Sequence, residues 1–123
     1  MARKRYVVEL GMGADLHGGN VTKAAQRAIQ DAISRSCLCG LFDIIGIDNP
    51  DQMHVVVKIA CPEPDAIDQA VLRKTVPFGS VDLKVVDGGL SVRGLNLPAL
   101  GAGDTIVVAN AALTVYVDVN ETG

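Results

Sequence analysis

The sequence predicts an α+β domain with one four-stranded sheet and two helices on one face, in the order β-α-β-α-β-β. Three observations predict this fold. Apolar residues recur at helical spacing over residues 21–33. Residues 53–60 and 105–119 are Val-rich and Ala-rich runs typical of strands. Glycine and proline clusters separate these segments and mark turns.

The remaining elements follow from shorter signals. Residues 5–10 predict a first strand, and Asn20 is a favourable N-cap for the first helix. Residues 65–74 predict a second short helix, and residues 81–87 a third strand. The last strand is apolar on both sides, which favours an oligomer that packs sheet against sheet. The length of 123 residues fits one domain, so residues 1–123 are predicted to form a single domain.

Composition excludes several classes of protein. Of 123 residues, 49% are hydrophobic and 20% charged, so disorder is not expected. The net charge of −3 argues against a nucleic-acid partner, because such proteins present a basic face. No apolar run approaches the ~20 residues of a membrane span. The three cysteines lack a CxxC pair, which argues against a zinc site or disulfide scaffold and favours the cytoplasm.

The glycine-rich segment GMGADLHGG, residues 11–19, is the first candidate for function. It lies between a predicted strand and helix, where backbone N–H groups can hold an anion. It lacks the glycine spacing of a dinucleotide loop and the GK[ST] of a P-loop. Asp15 and His17 could bind a metal or form a base oriented by a carboxylate. Alternatively, Asp15 accepts hydrogen bonds from the amides of its own turn.

Two charged residues within strands are further candidates. Alternation places Lys58 on the face of its strand that carries His54, where it could act as a base, bind an anion or simply extend to solvent. Asp87 shares the apolar face of the third strand and needs a partner, a role, or a place in a turn. Gly88, Gly89 and Ser91 follow it. Glu9 and Asn110 also lie inside predicted strands and are candidates for satisfied structural polar groups.

The motif GxGxDxHG resembles the mark of a family of bacterial and plant proteins without an established activity. Gly11, Gly13, Asp15, His17 and Gly18 match it. The stretches HVVVKIACP, VPFG and VVDGG are also similar to that family, so the resemblance covers nearly the whole chain.

A more distant resemblance is to one repeat of the cyanuric acid hydrolase and barbiturase group. Those enzymes open cyclic amides with a lysine and a Ser-Gly-Gly serine in each of three repeats. Lys58 would match the lysine, whereas Asp87 stands where the serine would be, and Ser91 is displaced by two residues. The order of elements is also similar to the trimeric bacillus-type chorismate mutase. The resemblance implies a homotrimer with sites between subunits.

The resemblance to these enzymes implies a hydrolase-like protein that acts on a cyclic amide or ureide at a pocket between subunits. Lys58, Asp87 and His17 would be catalytic, and the surrounding glycines, Asp15 and Ser91 would contact the substrate. No cofactor is expected unless Asp15 and His17 bind a metal. The alternatives are a non-catalytic oligomer that binds a small anion or metabolite, and a subunit that stabilises a partner enzyme.

Overall fold

The computed structural model describes residues 2–97, 99 and 103–120. It shows five strands and two α-helices: β1 (Ala2–Asp15), α1 (Val21–Ile33), β2 (Met53–Cys61), α2 (Gln69–Thr75), β3 (Ser80–Asp87), β4 (Leu90–Arg93) and β5 (Thr105–Val119). A π-helical turn (Leu41–Ile45) and two 3₁₀ turns (Pro50–Gln52 and Pro64–Ala66) lie in the connections. The α+β class is confirmed.

The sheet is mixed, and the predicted number of strands is corrected from four to five. Its order is β1-β5-β2-β3, with β4 also paired to β5. β5 is antiparallel to β1, β2 and β4, whereas β2 and β3 are parallel. β4 was missed because it has only four residues, all of them exposed, and therefore lacks the apolar pattern of a buried strand.

Alternation divides the sheet into two faces. We call the face that carries the odd-numbered residues of β2 and β5 the covered face, because all of these from Met53 to Cys61 and from Val107 to Val117 are buried. The apolar stripe of α1 and Leu72 of α2 belong to the same core. The opposite, open face carries the even-numbered residues of β2 and β5 and has no helix packed on it among the described residues.

The open face has an exposed apolar band, formed by Val8, Leu10 and Met12 of β1 with Leu90 and Val92 of β4. Their exposed fractions run from 43% for Val92 to 64% for Leu10. Large contiguous apolar surfaces on folded domains commonly mark interfaces. In the part of the chain that the structure describes, no helix is long and apolar enough to cross a membrane.

The helix predictions hold with two changes. Asn20 caps α1 as expected, because its side chain accepts a hydrogen bond from the Lys23 amide at 3.0 Å. The second helix begins later than predicted, since Asp68 caps it through the amides of Ala70 and Val71. The π-helical turn, which Gly46 ends at a φ of 86°, is a further helical segment that the sequence did not predict.

Candidate functional site

The first half of the glycine-rich segment is strand rather than loop. β1 continues to Asp15, so the prediction of a loop over residues 11–19 is wrong for residues 11–15. A Cβ on Gly11 would lie 2.3 Å from the Ala28 carbonyl oxygen. One on Gly13 would lie 2.4 Å from the Ala24 carbonyl oxygen. The two glycines therefore let α1 pack directly on the backbone of β1.

Asp15 stabilises the turn that leads from β1 into α1. Its Oδ2 accepts hydrogen bonds from the amides of Gly18 at 3.3 Å and Asn20 at 2.8 Å. Its Oδ1 lies 3.6 Å from Nη1 of Arg27, which also donates to the Ala14 carbonyl oxygen. With its side chain only 13% exposed, Asp15 has the capping role that was the structural alternative for this residue.

His17 lies half-buried in the same turn. Gly103 passes close to its backbone, because a Cβ on Gly103 would lie 2.5 Å from the His17 carbonyl oxygen. Among the described residues, no three His, Cys, Asp or Glu side chains come together as a potential metal site. The metal predicted as an option at Asp15 and His17 would therefore need ligands from elsewhere.

Lys58 and Asp87 do not meet within one chain. Lys58 is paired in register with Lys84 and lies exposed on the open face. Asp87 is paired with Cys61, three residues further along β2, and has the parity of the covered face. Burial, and then the charge of Asp87, raise the pKa of the Cys61 thiol.

Gly88 and Gly89 carry the chain from β3 across the end of β2 to β4. The Gly88 amide donates to the Cys61 carbonyl oxygen at 3.1 Å. Gly89 has a φ of 65°, and a Cβ there would lie 2.1 Å from the Val108 carbonyl oxygen. Gly89 is thus required by this crossing. Ser91 lies in the exposed strand β4, on the covered-face side.

A cavity of about 520 Å³ lies on the covered face, and Lys58, Asp87 and His17 do not line it. It opens between the C-terminal end of α1, the segment that follows it, and the connection from α2 to β3. The sheet forms its floor through Val55, Leu113 and Val115. Both phenylalanines of the chain line it, as do Cys37 and Cys39. We call this cavity the Glu9 pocket.

Glu9 is the polar feature of the Glu9 pocket. Among the described residues, Glu9 is the one charged residue that is buried, with 9% of its surface exposed. Ser36 Oγ donates a hydrogen bond to its Oε2. Its Oε1 has no hydrogen-bond partner among the described residues, where no side-chain oxygen is both fully buried and unpartnered, so Oε1 is open to solvent. A carboxylate in apolar surroundings is costly unless a partner satisfies it.

The comparisons with known proteins place the chain in a family. Residues 5–115 match the family described as Conserved hypothetical protein (Lin0512_fam), and the chain belongs to it. A crystal structure of an FtsZ-like protein of unknown function from Nostoc punctiforme is similar, with 38% sequence identity and a TM-score of 0.88. The match covers 96% of this chain and 98% of that one. No curated protein sequence matches.

Proposed function

We propose that this member of the Lin0512 family binds a small, largely apolar molecule in the Glu9 pocket. One observation carries the proposal: a buried carboxylate in a cavity whose walls are otherwise mostly aliphatic and aromatic. Binding sites for small molecules have this character, with volumes of roughly 300–1,000 Å³ and few polar groups. The apolar walls supply affinity, and the carboxylate orients the ligand.

The charge of the lining selects the chemistry of the ligand. Glu9 and Asp43 line the Glu9 pocket, and no Lys, Arg or His in the described part of the chain does so. A cationic or neutral hydrogen-bond donor is therefore favoured over the small anion that was one of the alternatives. An amine on an apolar body would satisfy Glu9 Oε1 and shield the walls from water. The proposal thus keeps the alternative of a non-catalytic metabolite-binding protein and specifies an apolar amine as the metabolite class.

A matched pair of probes tests the proposal. 1-Naphthylmethylamine carries an ammonium group, and 1-naphthylmethanol has the same ring with a neutral hydroxyl. Calorimetric titration should show that Glu9→Gln weakens the amine about tenfold and the alcohol much less, because hydrogen bonds to charged groups are stronger by roughly 1.4 kcal/mol. Glu63→Gln, an exposed control, should change neither. An amine affinity unaffected by Glu9→Gln would refute the proposal.

A second proposal is the hydrolase that acts on a cyclic amide or ureide at a subunit interface. The exposed apolar band and the exposed Lys58 on the same face support it. Lys58 and Asp87 have opposite parity in paired strands, so they would have to come from different copies of the chain, as in a homotrimer. Apolar faces of this kind are commonly covered in oligomers.

Two measurements test the hydrolase proposal together. Light scattering should give the mass of a trimer, and Lys58→Ala should abolish turnover of a cyclic amide while Lys74→Ala, at an exposed position in α2, preserves it. A monomeric mass would remove the site between subunits. Equal turnover in the two variants would remove the role of Lys58.

A further inference from the structure

Three polar side chains form a continuous hydrogen-bonded chain where β2 and β3 begin and β5 ends. His54 Nδ1 lies 2.8 Å from Ser80 Oγ. His54 Nε2 lies 3.1 Å from Asp118 Oδ2. Arg3 Nε lies 3.7 Å from the other carboxylate oxygen of Asp118. The register pairs His54 with Ser80, so the two side chains share the open face.

The hydrogen bonds determine which ring nitrogen carries the proton. Asp118 can only accept, so neutral His54 is held with its proton on Nε2. Nδ1 is then an acceptor, and Ser80 Oγ donates to it. A nucleophile within reach of a base that a third group orients is the signature of an activated hydroxyl. In serine proteases the serine contacts Nε2 and the aspartate contacts Nδ1 of the histidine, whereas here Ser80 contacts Nδ1 and Asp118 contacts Nε2. Nucleophile, base and orienting carboxylate are all present in both arrangements.

The edge of the sheet supplies a donor beside Ser80. In the order β1-β5-β2-β3 the strand β3 is at the edge of the described sheet. Arg73 Nη1, from α2, donates to the Val81 carbonyl oxygen at 2.9 Å, so this carbonyl points away from β2. The N–H of a strand residue points to the same side as its C=O, which leaves the Val81 N–H at the edge. In serine hydrolases the N–H after the nucleophile stabilises the oxyanion.

We infer that Ser80, His54 and Asp118 form an acyl-transfer site for small, unhindered esters. Ser80 Oγ attacks the ester carbonyl carbon, and its proton passes to His54 Nδ1. The tetrahedral intermediate then collapses, the C–O bond to the alcohol breaks, and the Nδ1 proton leaves with the alcohol. Water, deprotonated by Nδ1, hydrolyses the acyl-serine and restores Ser80. Asp118 is a positioning residue, since it acts through His54.

The location of the site limits its substrates. Ser80 is exposed, the side chain of His54 is 25% exposed, and the cavity that His54 and Asp118 line has a volume of only about 210 Å³, so the site suits small substrates. The exposed apolar band lies toward the other end of the face, so an oligomer that covers the band leaves the triad at its rim. This inference is independent of the Glu9 pocket.

A fluorophosphonate probe, which phosphonylates activated serines, tests the inference on the full chain. Mass spectrometry of the digested protein should find the label on Ser80, and Ser80→Ala should lose it. His54→Gln should slow labelling roughly 100-fold, the contribution of a general base. Ser34→Ala, at an exposed serine that donates to the Asp31 carbonyl oxygen, should label like the wild type. Wild-type protein without label on Ser80 would overturn the inference.

Two further readings keep the inference falsifiable if His54→Gln fails to fold. The labelling rate of the wild type should rise with pH, because only a neutral imidazole can accept the proton of Ser80. Asp118→Asn should slow labelling and change this pH profile, because an amide no longer fixes the tautomer. Asp82→Asn, an exposed carboxylate on the same face, should do neither. A rate independent of pH, or equal effects of the two Asn variants, would overturn it.

Discussion

Replacing Gly13 with alanine would insert a methyl group into the contact between β1 and α1. The new Cβ would lie 2.4 Å from both the Ala24 carbonyl oxygen and the Ala28 backbone nitrogen. Carbon atoms normally approach such atoms no closer than about 3.5 Å. Since the obstructing atoms are helix backbone, no side chain can rotate to make room. The helix must move away by about an ångström.

The loss of folding free energy depends on the contacts that this movement of α1 breaks. α1 buries Val21 and Ile29 and a row of alanines against the sheet, and a displaced helix loses these contacts together. Overpacking of a core typically costs 1–3 kcal/mol, occasionally more. We expect about 3 kcal/mol here, because the contact is to backbone. For a domain of this size that lowers Tm by roughly 10 °C.

Urea unfolding followed by circular dichroism measures this change. Gly18→Ala is the matched control from the same motif, because its Cβ would lie at an ordinary 3.4 Å from Asp15 Oδ2. The control should change the free energy of unfolding by about 0.5 kcal/mol or less. Equal stability of the Gly13→Ala and Gly18→Ala proteins would refute the packing role of the motif and favour a ligand-binding one.

Three other predictions concern single polar groups. Iodoacetamide should alkylate Cys37 and Cys39 quickly and Cys61 slowly, because burial raises the pKa of the Cys61 thiol, and bound naphthylmethylamine should slow the first two only. Hydrogen bonds from the Met12 amide and then from Arg35 lower the pKa of Asp31 from 3.8. The stability that Asp31 contributes is therefore complete above pH 3.8 and is lost as the pH falls further, so the Asp31→Asn protein should lose less stability than the wild type in an acid titration. Asp15→Ala should cost about 1 kcal/mol in urea unfolding, since it removes the acceptor for the amides of Gly18 and Asn20. Equal alkylation rates of all three thiols would contradict the first expectation. An Asp31→Asn protein with the acid stability of the wild type, or an Asp15→Ala protein with its free energy of unfolding, would contradict the other two.

The elements with a strong apolar period were predictable from the sequence. α1 follows its helical repeat and its Asn20 cap, and β5 has the predicted bounds. The extent of β1 was not predictable, because Gly11 and Gly13 disfavour a strand by propensity. They lie in one because a helix packs against them, which is a tertiary contact. Sequence propensity carries no information about that contact.

The candidate site shows where pattern reasoning succeeds and where it stops. Alternation correctly gave Lys58 the face of His54 and gave Asp87 the apolar face. Those two assignments already separate the residues, a consequence that the resemblance to cyclic amide hydrolases obscured. The Glu9 pocket is different, because its walls come from segments between residues 9 and 115. The available signal was Glu9 itself, a charge inside an apolar strand.

The most direct test of the Glu9 pocket is to locate a bound probe. In ¹H–¹⁵N correlation spectra, 1-naphthylmethylamine should shift the amides of residues 36–43, Val76 and Phe78, which surround the cavity. Amides of Met12, Leu90 and Val92, in the exposed apolar band, should stay in place. Shifts confined to the band would contradict the account, because the probe would then recognise an apolar surface and not the pocket of Glu9.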